Sequence, residues 1–77
     1  MKELLEYLAK GLVSAPELVR VNEVEEHGAT VLELSVADDD YGSVIGRGGR
    51  TASALRTVVK SAGAKRKRRV FLDIVDS

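Results

Sequence analysis

Three glycines fall within four positions, Gly46, Gly48 and Gly49, between the apolar pair Val44-Ile45 and a long run with helical periodicity. A chain that turns between two helices in so few residues needs positive φ, which glycine adopts without steric cost. With no Cβ in the way, the N–H groups of the turn can approach a ligand closely. The following helix would aim its free N–H groups and positive dipole end at the same place. Arg47 and Arg50 add full charge there. The stretch from Val44 to Arg50 therefore suits an anionic backbone as its partner.

The flanks supply the rest of a fold. Residues 2–13 place Leu4, Leu5, Leu8, Leu12 and Val13 at spacings that predict an amphipathic helix, with Gly11 inside it and Pro16 just beyond. From Leu18 to Glu26, Val19 and Val21 alternate with polar residues, while Val24 falls out of step and predicts a bulge or a shift of face. His27-Gly28 is a turn signal, and residues 29–36 put Leu32, Leu34 and Val36 on one side of a second strand. Tyr41 to Ile45 is a short helix behind Asp38-Asp39-Asp40. Arg50 to Ala62 is a longer one, with Ala52, Leu55, Val58, Val59 and Ala62 on one face and Gly63 as its stop. Val70, Leu72 and Ile74 then alternate in a last strand.

The order is α-β-β-α-α-β, an α+β fold. If the last strand lies beside the second, the two helices between them form a crossover and the pair is parallel. The sheet is then three-stranded and mixed, with three helices packed on one face. Residues 1–77 read as a single domain, small enough to bury only roughly 60% of its unfolded surface, so assembly with another chain is expected. Cysteine is absent, which excludes disulfides and thiolate metal sites. Acidic residues interrupt the apolar stretch at the N-terminus, unlike a secretory leader, and no apolar run approaches the roughly 20 residues of a membrane span. A cytoplasmic protein with no membrane association is the expectation.

Net charge is zero, but its distribution is uneven. Residues 1–40 hold ten acidic and three basic residues, a net −7, and residues 41–77 hold nine basic and two acidic, a net +7. Either the basic half meets a nucleic acid or another acidic surface, or the halves compensate each other in the folded domain.

Catalytic motifs fail on spacing. A P-loop would need glycine at position 47, which is Arg, and the dinucleotide fingerprint would need it at position 51, which is Thr. Gly42-Ser43-Val44 lacks the second glycine of a nucleophile elbow. His27, the only histidine, reads as a turn residue, and Asp38-Asp39-Asp40 as helix-capping carboxylates rather than a metal site. Neither an enzyme nor a cofactor is indicated.

Val44-Ile45-Gly46-Arg47-Gly48-Gly49-Arg50, set between two helices in this element order, resembles the Gly-x-x-Gly signature of a KH domain of the prokaryotic, type II kind. More narrowly, the chain is similar to the KhpA family of small bacterial stand-alone KH proteins. The Leu-Leu-Glu-Tyr-Leu-Ala opening, the Leu-Glu-Leu strand, Gly-Arg-Thr-Ala after the motif and Ala-Lys-Arg carry the likeness. Members more often have Lys and Gln at the two variable positions. Arg47 and Gly48 keep the charge and loosen the loop.

The resemblance implies binding of about four nucleotides of single-stranded RNA through the glycine turn, with a role in post-transcriptional regulation or as an RNA chaperone. Arg47 and the N–H groups of Gly48 and Gly49 are expected on phosphates, the helix from Arg50 behind them, and Val44, Ile45 and Leu34 along an apolar groove for the bases. A homodimer, or a heterodimer with a larger KH-type RNA-binding protein, is implied as well. The run Lys65-Arg66-Lys67-Arg68-Arg69 lies about 20 Å from the turn by helix length. It either contacts another part of a longer RNA or balances the acidic half. A different class of function is also open: a protein–protein assembly module in which RNA binding is incidental.

Overall fold

The computed structural model describes residues 1–76. Helix α1 (Lys2–Lys10) buries Leu5 and Ala9 and half-buries Leu4 and Leu8. It stops short of the expected residue 13. At Gly11 the bonding shifts toward i−3, with the Leu12 N–H donating to the Ala9 carbonyl at 3.0 Å, and that tightening ends the helix. Strand β1 (Arg20–Glu26) begins two residues later than expected because Pro16–Leu18 forms a single 3₁₀ turn. Strand β2 (Ala29–Ser35) pairs antiparallel with β1 in an unbroken register from Arg20↔Ser35 to Glu26↔Ala29. Val24 is therefore not in a bulge. It sits on the opposite face of the sheet, paired with Val31. His27 (φ 50°) and Gly28 (φ 78°) both have the positive φ of a tight two-residue hairpin turn.

Helices α2 (Tyr41–Ile45) and α3 (Arg50–Lys65) carry the chain across to strand β3 (Val70–Ile74), which runs parallel to β2 from Thr30↔Val70 to Leu34↔Ile74. The sheet order is β1-β2-β3. All three helices cover the face that carries Leu32 and Leu34, and Leu5, Ala9, Val44, Leu55, Val59, Val70 and Leu72 complete the core between them. This is the α+β arrangement, with a mixed three-stranded sheet and a parallel crossover, that the element order predicts.

Two further expectations are corrected. Helix α3 does not stop at Gly63 but continues to Lys65 with Gly63 buried inside it, because the helix lies close against β3 at that point. A Cβ on Gly63 would sit 2.5 Å from Val70 Cγ2. Nor does the side chain of Asp40 cap α2. It is buried and accepts bonds from the segment after α1: Ser14 N–H at 3.0 Å, Ser14 Oγ at 2.8 Å and Ala15 N–H at 3.0 Å. Three donors on one carboxylate outweigh what a single cap bond would give.

Candidate nucleic-acid interface

The chain leaves α2 at Gly46 (φ 77°, ψ 169°), a conformation open essentially to glycine alone. Arg47–Gly49 then makes one 3₁₀ turn in which Gly48 (φ 63°) and Gly49 (φ 77°) are also left-handed. The three glycines differ in what surrounds them. A Cβ on Gly46 would meet Thr51 Oγ1 at 2.3 Å and the Thr51 backbone N at 2.8 Å, so this residue seats the turn against the start of α3. Around Gly48 and Gly49 no atom lies within 4 Å of the Cβ position, so that side of the turn is open.

The hydrogen bonds show which backbone donors are available. Gly49 N–H donates to the Gly46 carbonyl at 3.1 Å, and Arg50 N–H donates to the Arg47 carbonyl. The N–H groups of Arg47 and Gly48 have no partner among the described residues. The pair free to meet a ligand is thus Arg47 and Gly48, not the expected Gly48 and Gly49. No side chain caps the start of α3, and the exposed side chains of Arg47 and Arg50 make no ion pair among the described residues.

Beside the turn runs a groove of about 380 Å³. Tyr41 and Ile45 of α2, Gly49 of the turn, and Ala52 and Arg56 of α3 form one wall; Asp73 and Ile74 of β3, with Asp76 beyond it, form the other. Positive charge belongs to the helix side and negative charge to the strand side. The Tyr41 hydroxyl donates to the Val75 carbonyl at 2.5 Å, joining α2 to the end of β3. Ile45 is 41% exposed, as a groove residue should be. Val44 and Leu34 do not line the groove: both are fully buried in the core, because they lie on the inner face of α2 and of the central strand.

Sequence reasoning missed Tyr41, Ala52, Arg56, Asp73, Ile74 and Asp76. Ala52 and Arg56 carry a usable signal, since i and i+4 share a helix face, and that face follows directly from the glycine turn. The strand residues carry none, because which strand end meets the turn depends on the crossover.

The basic run is placed apart from this site. Sixteen residues of α3 span about 24 Å, and Lys65, Arg66, Lys67 and Arg68 lie at its far end. Arg68 is committed locally: its Nη2 lies 2.9 Å from Glu25 Oε1 and 3.2 Å from Thr30 Oγ1. A pair so exposed contributes well under ~1 kcal/mol.

A second surface lies on the other flank of α3. Leu8 and Leu12 from the α1 end meet Thr51, Ala54, Leu55 and Val58 around an apolar hollow, and Leu12 and Val58 are each 41% exposed. No helix among the described residues is long and apolar enough to cross a membrane, and no group of three His, Cys, Asp or Glu among them could hold a metal ion.

Known proteins resemble this chain over nearly its whole length. A family model described as the KH domain of KhpA/KhpB matches residues 2–74. A protein of Halalkalibacterium halodurans named RNA-binding protein KhpA is 54% identical over 99% of this chain and 100% of its own length. Proteins of the same name are 51% identical in Clostridium perfringens, covering 97% of this chain and 100% of theirs, and 45% identical in Chlamydia pneumoniae, covering 99% and 97%.

Proposed function

The chain belongs to the KhpA/KhpB family of KH domains, and on that premise we propose that it binds single-stranded RNA at the turn Gly46–Gly49. The family is one of binding proteins, not enzymes. One observation carries the single-strand reading: the N–H groups of Arg47 and Gly48 are unpartnered in a turn that is open around Gly48 and Gly49, carries two free arginines and borders a groove through Gly49. Phosphates take the turn and the α3 side, where Arg47, Arg50, Arg56 and the helix dipole attract them. About four bases enter the groove. There Ile45 and Ala52 offer apolar contact, and Asp73 and Asp76 can accept from base amino groups. Binding is weak and loosely selective, since no aromatic platform lines the turn itself. In this reading residues 1–77 act as one KH domain in the cytoplasm, as a post-transcriptional regulator or RNA chaperone.

The test is a titration of single-stranded RNA against wild type and Arg47→Asp/Gly48→Asp. Both positions are exposed, and the left-handed backbone at residue 48 costs about 1 kcal/mol, so the variant still folds cooperatively, melting a few degrees lower, while its affinity falls at least tenfold. A folded variant that binds equally well rules out the phosphate clamp.

The apolar hollow between α1 and α3 supports assembly as a second activity, and we assign it to a second copy of this chain or a larger KH-type RNA-binding protein. It lies on the opposite flank of α3 from the groove, so pairing and RNA binding do not compete. A Val58→Asp variant that stays dimeric in sedimentation rules this surface out.

A further inference from the structure

Beyond the groove, the same two walls carry another constellation. Lys60 lies one helical turn past Arg56 on α3, and Phe71 lies two residues before Asp73 on β3. The two steps are nearly equal, ~6 Å along the helix and ~6.7 Å along the strand, and both lead away from the glycine turn. Lys60 therefore stands opposite Phe71 as Arg56 stands opposite Asp73 and Ile74. The Lys60 ammonium is 5.9 Å from the centroid of the Phe71 ring, and the Arg69 guanidinium carbon is 5.5 Å from it. With Arg68 and Val70 these residues line a hollow at the sheet edge.

Phe71 is the chain's only phenylalanine and is 38% exposed. On the helix-free face of the sheet it is paired with Val31, which it helps cover. Covering Val31 calls for an apolar side chain, but not for a ring at the lip of the sheet with one cation from the helix side and one from the residue just before its own strand. A ring flanked by cations can stack a base while the cations meet the adjoining phosphates.

We propose that Phe71, Lys60 and Arg69 form an additional base-stacking subsite that takes one nucleotide of RNA beyond those held in the groove. The inference rests on the single-strand reading above and adds the path of the strand: it leaves the clamp along α3 and β3. Every base has a face to stack, so the subsite adds affinity without adding sequence choice.

Oligouridine probes of four and eight nucleotides, titrated against wild type, Phe71→Ala and Phe71→Leu, test it. Lengthening offers extra binding registers to every variant, so the quantity read is the gain from four to eight nucleotides relative to Phe71→Ala. Wild type should gain about fivefold more than Phe71→Ala, the lower end of one base stack. Affinity for the short probe should be unchanged. Phe71→Leu keeps Val31 covered and the melting temperature near that of wild type, yet should lose the extra gain, and Phe71→Trp should retain it. Equal gains in wild type and Phe71→Ala, a full gain in Phe71→Leu, or an equal loss on the short probe each overturn the subsite while leaving the clamp intact. Failure of wild type to bind either probe overturns the single-strand reading itself, and the subsite with it.

Discussion

Asp40 and Ser14, 26 positions apart in sequence, are joined by two hydrogen bonds, backbone N–H at 3.0 Å and hydroxyl at 2.8 Å to the same carboxylate oxygen. The other oxygen takes the Ala15 N–H. The entry to α2, and through it the groove wall, is thus tied to the connection after α1. The Ser14 N–H does most to hold the Asp40 carboxyl below its ordinary pKa, followed by the Ser14 hydroxyl; the Ala15 N–H adds to them and burial opposes them. A carboxylate whose pKa is lower folded than unfolded stabilises the fold above the unfolded value of ~3.9. That contribution is lost as pH falls through the folded value. Thermal melts from pH 7 down to pH 2 should show Asp40→Asn less stable than wild type at neutral pH and losing less on acidification. Parallel curves for the two proteins would show that Asp40 contributes nothing to the acid limb.

Gly46 and Gly48 should respond differently to alanine, although both have positive φ. At Gly48 the site is open, and the cost is the left-handed backbone alone, about 1 kcal/mol. At Gly46 the new methyl meets Thr51, including its backbone nitrogen at 2.8 Å, so overpacking of ~1–3 kcal/mol is added. Urea denaturation of the two variants measures the difference. Thr51→Ala should not rescue Gly46→Ala, because the backbone contact stays.

The element order and the parallel placement of β3 were legible because alternation and helical spacing are strong over residues 18–36 and 50–75, and because the crossover leaves little choice of topology. The ends of elements were not. Gly63 reads as a stop by its type, but its role is set by Val70 lying against it, a contact between residues that no local pattern joins. Asp40 reads as a cap for the same reason, and its real partners are 25 and 26 residues away. At the site, the glycine turn and its two arginines could be found from spacing. Which N–H groups are free, and that Val44 faces the core while Ile45 faces the groove, depends on how the turn closes on α3.

Two arginines separate the groove from the basic run. Arg56 lines the groove, whereas Arg68 is paired with Glu25 near the far end of α3. With a four-nucleotide probe, Arg56→Ala should reduce the slope of log affinity against log salt by about 0.7, one single-strand phosphate contact. Arg68→Ala should leave it unchanged. A loss of slope from Arg68→Ala equal to that from Arg56→Ala would place the run at the clamp.

Helical glycines usually gain stability on replacement by alanine, and here two of them should move in opposite directions. Gly42, in α2, is exposed, and no atom lies within 4 Å of its Cβ position. Gly42→Ala should add about 0.4–1 kcal/mol by restricting the unfolded chain. Gly63, in α3, would gain a similar amount from propensity, about 1 kcal/mol. Its methyl, however, would lie 2.5 Å from Val70 Cγ2, 3.1 Å from Val70 Cβ and 3.1 Å from the Arg68 carbonyl oxygen. Val70 is 2% exposed and belongs to the core, so it has little room to yield. Overpacking of ~1–3 kcal/mol then outweighs the propensity gain, and Gly63→Ala should destabilise. In a Val70→Ala background the Cγ2 contact disappears while the carbonyl contact remains, so the penalty should shrink without vanishing. A double-mutant cycle in urea reads that coupling, and additivity between positions 63 and 70 would refute the steric account.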